Sequence, residues 1–441
     1  MHRLVLRLVV LALTTAPVVI VAQSRPTTVD WPHWRGPGHT GATTANVPLT
    51  WSDTSNVRWK AEIPGRGHST PVIAGNRLFL TTAVPTGKQT DVAASAQGGA
   101  GGGAGAGEEH RLEVIAIDRV SGKIAWQRTA ITAVPHEGYH RQYGSFASNA
   151  PATDGQRVYA FFGSRGLYTY DLNGKLLWQK DFGLKMTMHL AFGEGTGTVV
   201  HDGRIYLQFD HKGEGFVVAL NAADGKELWR APRMENSSWS TPLVVEHAGK
   251  KQLVVSADTK VKSYDVETGK VVWEVAGIGM NPIPQPVQFR DTVILMSGYR
   301  NPKLFAVRLG RTGDLTGTDA VIWETTRGTS YTASPSLLDG RLYVISDSGM
   351  LHVFDAATGT PHYIQQRLPK PYNFKASPLV VNDRVYLATE EGEVVVVKTG
   401  NQFEVLATNT LTDQSFIASP IAVGNDMYLR SRTHLFRISE R

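Results

Sequence analysis

The apolar and polar positions of this chain alternate in short runs separated by glycine-containing turns, a pattern typical of β-hairpins. The clearest case is residues 116–126, AIDRVSGKIAW, where an apolar strand ends at Asp, turns through Gly and continues to a Trp. The unit returns at residues 219–229 and 263–273, and a copy one residue shorter occupies residues 169–178. Asp bonds backbone N–H groups in such a turn, Gly supplies positive φ, and Trp covers a neighbouring element. The unit therefore predicts a strand, a tight turn and a second strand.

This unit is part of a longer repeat, which begins with a small polar residue followed by Pro and contains four predicted strands. The prolines at positions 242, 286, 335, 378 and 420 are 44, 49, 43 and 42 residues apart. The repeats end on a series of tryptophans: Trp59, Trp126, Trp178, Trp229, Trp273 and Trp323. A period of ~40–50 residues with four strands in each repeat is typical of a β-propeller.

Seven complete repeats and three C-terminal strands leave one strand missing from the last repeat. The segment around Trp59, VRWKAEIP, looks like the end of a repeat whose beginning is missing, so it supplies that strand. Closing the ring in this way leaves no open sheet edge. We therefore predict an all-β fold over residues 57–441. It is an eight-bladed β-propeller of four-stranded antiparallel blades, with the last blade closed by an N-terminal strand.

The segments outside the repeats suggest an exported protein. Residues 1–23 combine a short basic region with an apolar run, which predicts a signal peptide. A signal anchor is the alternative, but the run is shorter than the ~20 residues that a membrane span needs. We therefore expect export to the periplasm or secretion, with no stable membrane span.

Residues 24–56 predict an irregular arm packed over a domain surface. Residues 85–109, with the run AQGGAGGGAGAGEE, predict a disordered loop inserted in the first blade.

Composition narrows the possible functions. The 441 residues include 45 Lys and Arg against 39 Asp and Glu, a net charge of +6, with no run of basic residues. We therefore expect no nucleic-acid partner. The chain has no Cys, which excludes disulfides, thiolate metal sites and a lipid-modified N-terminal Cys.

The repeated AxDxxxGKxxW unit resembles the repeat of PQQ-type (pyrroloquinoline quinone) propellers over roughly residues 57–440. The segments WPHWRGPGHTG and IPGRGHSTPV are similar to those of exported bacterial PQQ-like repeat proteins. The resemblance implies the propeller fold, with each repeat-ending Trp docked on the next blade. It also implies two functions found in the family. One is that of quinoprotein dehydrogenases, which hold PQQ and Ca²⁺ over the axis. The other is that of the scaffold lipoprotein of the outer-membrane barrel assembly machinery.

Candidate ligand-binding residues come from the first strand of each blade and the loop before it, because these line a propeller's central channel. The candidates are Arg66, His68, Asn149, Trp239, Tyr331 and Lys375. A ring of donors and aromatic side chains suits a planar or anionic ligand through stacking and charge pairing. The alternative is that these side chains pack between blades and satisfy backbone groups.

A candidate metal site precedes the second blade, where His136, Glu137 and His140 have side chains that ligate divalent metals. The neighbouring Pro135 and Gly138 favour a loop over a helix that would align the two histidines. We therefore favour a hydrogen-bonded loop and predict no metal site.

Motifs of hydrolases, zinc proteins and phosphate-binding loops do not occur in the sequence. We expect an exported, non-catalytic binding or scaffold propeller, a monomer that presents its loops to a protein, polysaccharide or small ligand, and we predict no cofactor. The alternative is a PQQ-dependent oxidoreductase that acts on alcohols or sugars and uses PQQ with Ca²⁺.

Overall fold

The eleven-residue units fold as hairpins, and together with their neighbouring strands they form eight β-sheets. The computed structural model describes residues 31–91 and 101–440. Two strands precede the first blade, β1 (Ala42–Thr43) and β2 (Val57–Glu62). Strands within a blade are antiparallel and follow one another from the inner to the outer edge of the sheet.

The strands of the first four blades are β3 (Val72–Ala74), β4 (Arg77–Gln89), β5 (Glu108–Asp118) and β6 (Ile124–Ala133); β7 (Ala152–Thr153), β8 (Arg157–Phe161), β9 (Leu167–Asp171) and β10 (Leu176–Lys180); β11 (Val199–His201), β12 (Arg204–Phe209), β13 (Gly213–Asn221) and β14 (Glu227–Glu235); and β15 (Leu243–His247), β16 (Lys250–Val255), β17 (Lys260–Asp265) and β18 (Val271–Ala276). Short 3₁₀ turns occur at Gly163–Arg165 and His189–Ala191.

The strands of the last four blades are β19 (Val287–Phe289), β20 (Thr292–Ser297), β21 (Lys303–Arg308) and β23 (Val321–Thr325); β24 (Ser336–Leu338), β25 (Arg341–Ile345), β26 (Met350–Asp355) and β27 (Pro361–Arg367); β28 (Leu379–Val381), β29 (Arg384–Ala388), β30 (Glu393–Lys398) and β31 (Val405–Thr410); and β32 (Ile421–Val423), β33 (Asp426–Arg430) and β34 (His434–Ile438) with β2. The short β22 (Gly313–Asp314) adds to the outer edge of the fourth blade, parallel to β18.

The eighth blade is closed by the N-terminal strand. Strand β2 pairs antiparallel with β34, and Trp59 lies opposite Arg437. The apolar cores lie between the blades, and each cluster joins neighbouring blades around the ring. The largest cluster joins the seventh, eighth and first blades, which closes the circle. The predicted eight-bladed propeller with an N-terminal closing strand is therefore confirmed.

The repeat-ending tryptophans contact the glycine turns of the following blades. Five rings lie over Gly122, Gly174, Gly225, Gly269 and Gly359, where a Cβ would be no more than 2.7 Å from a ring atom of the Trp. These glycines also have positive φ, so the turn and the ring contact both require Gly. The indole N–H of Trp126 donates to Leu172 O at 2.9 Å, and those of Trp59, Trp229 and Trp323 bond the equivalent turns.

Two of the six tryptophans depart from this arrangement. Trp178 packs on its glycine, but its buried Nε1 has no hydrogen-bond partner. Trp273 is fully buried and donates to Gln252 of its own blade at 2.9 Å. The added strand β22 lies beside Trp273, with Gly313 directly opposite it.

From the fifth blade round to the first, the polar residue before the Pro links neighbouring blades around the axis. Gln285 N donates to Ser334 Oγ at 2.8 Å, and Ser334 N donates to Ser377 Oγ at 2.9 Å. Ser377 N donates to Ser419 Oγ at 3.0 Å, and Ser419 N donates to Thr70 Oγ1 at 3.1 Å. These four bonds form a chain of hydroxyl groups from the fifth blade to the first. The small polar residue of the repeat is thus an inter-blade acceptor.

The N-terminal arm runs across one end of the central channel. Its contacts follow in this order: Trp31 with Ile73 of the first blade, Pro32 with Thr153 of the second, His33 with Val200 of the third, Arg35 with Pro335 and Pro378 of the sixth and seventh, and Asn46 with Gly424 of the eighth. The third and seventh blades lie on opposite sides of the ring. The arm therefore crosses the axis between His33 and Arg35.

The glycine-rich insertion of the first blade was expected to be a loop over residues 85–109, but both ends of this segment are part of strands. Strands β4 and β5 continue the hairpin into both ends of this segment, because their backbones pair as far as the loop. Residues 101–107 pack on loops of the second and third blades, and Gly103 N donates to Ala191 O at 3.1 Å. Glycine permits this close backbone approach. Residues 92–100, on which the central part of the disorder prediction falls, lie outside the described residues.

The predicted signal peptide also lies outside the described residues. Within residues 31–91 and 101–440, no helix has the length and apolar character needed to cross a membrane.

Candidate functional site

An axial cavity of about 340 Å³ lies within the ring, and all eight blades contribute residues to its wall. Trp34 of the arm also lines it, at the end of the channel that the arm crosses. The cavity is therefore blind at the arm and reached from the opposite face of the propeller. Its volume is at the lower end of the ~300–1,000 Å³ that is usual for small-molecule sites.

Four of the six predicted ligand-binding residues line this cavity: His68, Trp239, Tyr331 and Lys375. They come together because each belongs to the loop before the first strand of its blade, which faces the axis.

Arg66 and Asn149 are used differently. The Arg66 guanidinium donates to Gly144 O at 3.0 Å and to Arg141 O at 2.9 Å, so it holds the loop before the second blade. Asn149 is 2% exposed and donates to Thr196 O at 2.7 Å. The side chains of these two residues therefore hydrogen-bond backbone carbonyls, as in the alternative interpretation of the candidate residues.

Lys375 is the only Lys or Arg among the described residues that line the cavity. Its Nζ lies 3.0 Å from Asp347 Oδ2 and 3.5 Å from Glu390 Oε1. Asp347 also accepts the backbone N–H of Tyr331 at 3.2 Å and of Thr332 at 3.0 Å. Burial raises the pKa of Glu390, and the nearby ammonium of Lys375 acts in the opposite direction. The positive charge that suggested an anionic ligand is therefore already compensated within the protein.

Aromatic side chains form much of the remaining wall. Trp239 is fixed by its Nε1, which donates to Gly193 O at 2.7 Å. Tyr331 stacks on Tyr299 with ring centroids 5.0 Å apart. The ammonium of Lys375 lies 4.4 Å from the ring centroid of Tyr143, a cation–π contact. These contacts hold the wall in one geometry before any ligand arrives, which lowers the entropic cost of binding.

His68 and Glu194 are the buried titratable groups of the wall. Burial lowers the pKa of His68 well below its usual value, and the neighbouring arginines act in the same direction, so the ring is uncharged near neutral pH. Burial raises the pKa of Glu194 to about 7, although Ser164 donates to it from both its N–H and its hydroxyl group at 2.6 Å. His68 therefore adds no positive charge to the cavity at neutral pH, whereas Glu194 changes between its neutral and its charged form near this pH.

The candidate metal residues are engaged in separate hydrogen bonds. His136 Nε2 lies 2.8 Å from Met186 O, and Glu137 Oε2 accepts the N–H of Met188 at 2.9 Å. His140 Nδ1 accepts the N–H of Tyr143 at 3.3 Å, and the two rings stack. The described parts of the chain contain no group of three His, Cys, Asp or Glu residues placed to hold a metal ion.

Sequence reasoning missed Trp34, Asp347 and Glu194. Trp34 belongs to the arm, whose course across the axis depends on contacts distant in sequence. Asp347 lies in a hairpin loop of the sixth blade, and only the structure brings it to Lys375. Glu194 stands in the glycine-rich run GEGTG, which marks a turn without revealing what the turn faces. The aromatic motif WPHWRG was the one available signal for Trp34.

The family model described as outer membrane protein assembly factor BamB matches residues 41–188, 173–317 and 312–431. The chain belongs to this family. The predicted PQQ-like propeller family is thereby confirmed, and the match extends into the N-terminal arm. Comparison of this BamB-family chain with curated protein sequences gives no match.

Solved structures share the fold of this BamB-family chain at low sequence identity. BamB from Moraxella catarrhalis is 14% identical with a TM-score of 0.53, over 81% of this chain and 99% of that one. Quinohemoprotein alcohol dehydrogenase from Comamonas testosteroni is 11% identical with a TM-score of 0.63, over 94% and 81% of the two chains. A europium-containing methanol dehydrogenase is 11% identical with a TM-score of 0.59, over 90% and 89%. At identities this low, the similarity shows a shared fold and no shared function.

The resemblance of the repeats to PQQ-type propellers raised the expectation of PQQ with Ca²⁺ over the axis. PQQ is a planar tricarboxylate and needs cations, and Ca²⁺ needs several oxygen ligands that converge. Lys375 is held by Asp347 and Glu390, and no cluster of metal ligands occurs among the described residues. The aromatic walls suit a planar molecule, but the charges present do not fit the cofactor with its metal.

Proposed function

We propose that this chain is a non-catalytic binding propeller whose axial cavity holds a small ligand. One observation carries the proposal: the arm closes the channel at Trp34, which turns it into a blind, aromatic cavity of ligand size. Ring contacts and hydrogen bonds already fix the wall, as expected of a preformed site.

We further propose that the protein acts after export and as a monomer. The apolar N-terminal segment supports export, and the family description, outer membrane protein assembly factor, agrees with it. A blind cavity suits a free small molecule or the terminal group of a larger one. A polysaccharide or protein partner would therefore present an end or a side chain to the cavity and rest on the surrounding loops.

The alternative, a PQQ-dependent oxidoreductase, is supported by the shared fold of the two dehydrogenases and opposed by the compensated charge of Lys375. Titration of the full chain with PQQ and Ca²⁺ separates the two functions. The binding function predicts no saturable PQQ binding and no dye reduction with alcohols or sugars. Saturable binding together with dye reduction would establish the enzyme instead.

The binding function itself is tested by a thermal-shift screen with small soluble metabolites. We expect at least one compound to raise the melting temperature of the wild type but not of Trp239→Ala. Trp323→Ala is the matched control: it removes the same side chain at a blade junction outside the cavity, so it lowers the melting temperature and keeps the ligand-induced shift. A screen without any Trp239-dependent shift contradicts the proposal.

A further inference from the structure

We propose that the ligand of the axial cavity is an uncharged sugar ring, and that the cavity rejects anions of the same shape. This inference rests on the proposed function and specifies the chemistry of its ligand.

The charges of the cavity wall disfavour an anionic ligand. Lys375 Nζ has two carboxylates within 3.5 Å, those of Asp347 and Glu390. The lining histidines His68 and His140 are kept uncharged by burial, which lowers the pKa of each. An anion entering the cavity would leave its water for a surface with no spare positive charge, and like charges brought together cost several kcal/mol.

A polar corner of the cavity suits the hydroxyls of a sugar. Asp347 Oδ2 and Lys375 Nζ lie 3.0 Å apart; Oδ2 also accepts from Thr332 Oγ1 at 2.9 Å, and Nζ also donates to Phe374 O at 3.1 Å. One hydroxyl of a sugar would accept the N–H that these two bonds leave on the ammonium, and the adjacent hydroxyl would donate to the carboxylate in a bond shared with Thr332. Hydrogen bonds to charged partners are the stronger kind, so a neutral diol gains them without adding net charge.

An aromatic surface lies beside this corner. Trp239 and Tyr331 are half-buried and line the cavity; Trp239 is held by its hydrogen bond to Gly193 O and Tyr331 by stacking on Tyr299. The C–H face of a sugar ring packs on such flat apolar surfaces while its hydroxyls point to the polar groups. A cavity of about 340 Å³ limits the ligand to a small sugar or the terminal unit of a longer one.

The direct test is isothermal titration calorimetry of the full chain with matched pairs of sugars. The pairs are D-glucose, D-galactose and D-mannose, each with the uronic acid of the same stereochemistry. We expect at least one neutral hexose to bind saturably and its uronate to bind roughly tenfold more weakly or worse. Equal or tighter binding of the uronate, or tight binding of PQQ with Ca²⁺, overturns the inference.

A variant that changes the charge beside Lys375 should alter the ratio of uronate affinity to hexose affinity. A purely structural role of this residue would leave that ratio unchanged. Glu390→Gln keeps the side-chain shape and removes one of the two negative charges beside Lys375. We expect the affinity ratio of uronate to hexose to rise roughly tenfold. Glu391→Gln is the matched control, since the neighbouring Glu391 is exposed and lies outside the cavity. An unchanged ratio in Glu390→Gln contradicts the inference.

The two proposals fail in different ways. If neither hexoses nor uronates bind but the metabolite screen gives a Trp239-dependent shift, the sugar inference is overturned and the binding function stands. If the screen also gives no such shift, the binding function falls with it.

Discussion

At the scale of single residues, burial determines which groups of the cavity are charged. Ser164 donates two hydrogen bonds of 2.6 Å to the Glu194 carboxylate, and the charge of Arg165 contributes less than these bonds. Burial outweighs these bonds and raises the pKa of Glu194 to about 7. The folded state therefore binds a proton more tightly than the unfolded chain, in which a Glu titrates near its ordinary value.

Replacing Glu194 should change the pH dependence of stability. The proton on Glu194 stabilises the folded state below its unfolded pKa, and this contribution is lost as pH rises towards about 7. Glu194→Gln should remove that loss, so that from about pH 5 to about pH 8 it loses less stability than the wild type, by up to ~3 kcal/mol. Urea unfolding at both pH values measures this, with Glu391→Gln as the exposed control. Parallel pH profiles for Glu194→Gln and the wild type would contradict the assignment.

At the scale of the blade, the repeat specifies its own contacts with the next blade. The Trp covers the glycine turn of the following blade, and the hydroxyl before the Pro accepts a backbone N–H from the preceding blade. Both contacts repeat around the ring because the Trp, the Gly and the small polar residue repeat in the sequence. This explains why the strands, the number of blades and the closing role of Trp59 could be predicted from one sequence.

Trp126→Ala should loosen the junction between the first two blades. The ring packs on Gly174, and its N–H donates to Leu172 O at 2.9 Å. Losing a buried ring of this size costs about 3–5 kcal/mol, which urea unfolding will measure. Trp126→Phe against Trp178→Phe isolates the hydrogen bond, because the N–H of Trp178 has no partner. A nearly unchanged stability in Trp126→Ala would show that the ring contact is unimportant.

Ser377→Ala tests the hydroxyl chain around the axis. Its Oγ accepts the N–H of Ser334 at 2.9 Å, and both residues are buried. The variant leaves this N–H without a partner, at a cost of about 1–3 kcal/mol. Thermal unfolding should show the loss, whereas Ser55→Ala, at an exposed turn, should be close to neutral. Equal melting temperatures for the two variants would count against the inter-blade role.

At the scale of the whole molecule, the N-terminal arm closes one end of the central channel and so makes it a cavity. Arg35 anchors it by donating to Pro378 O at 3.0 Å and Pro335 O at 2.9 Å. Burial lowers the pKa of Arg35 to about 9, so the guanidinium stays charged near neutral pH and holds the carbonyls of two blades.

The sequence limits what could be predicted at this scale. Four site residues could be placed because the start of each blade faces the axis by the geometry of the repeat. Trp34 and Asp347 could not, since the arm and the hairpin loops lie outside the repeated positions. The pairing of Lys375 with Asp347 likewise depends on the closed ring. Charge compensation, and with it the ligand preference, is therefore visible only in the folded molecule.

Arg35→Met should weaken both the arm and the cavity. Two buried carbonyls lose a charged donor, at a cost of roughly 2–5 kcal/mol. Because the neighbouring Trp34 lines the cavity, the affinity for a ligand identified in the screen should also fall. Arg58→Met is the control, since Arg58 is exposed. Unfolding and calorimetry on both variants measure the two effects. A loss of stability with unchanged affinity would show that the arm does not contribute to ligand binding.

The most direct test is a crystal structure of the full chain with the neutral hexose that binds most tightly in calorimetry. We expect the sugar in the axial cavity, with one face on Trp239 and adjacent hydroxyls on Asp347 and Lys375. A sugar bound on the outer surface of the blades, with the cavity filled only by water, would contradict it.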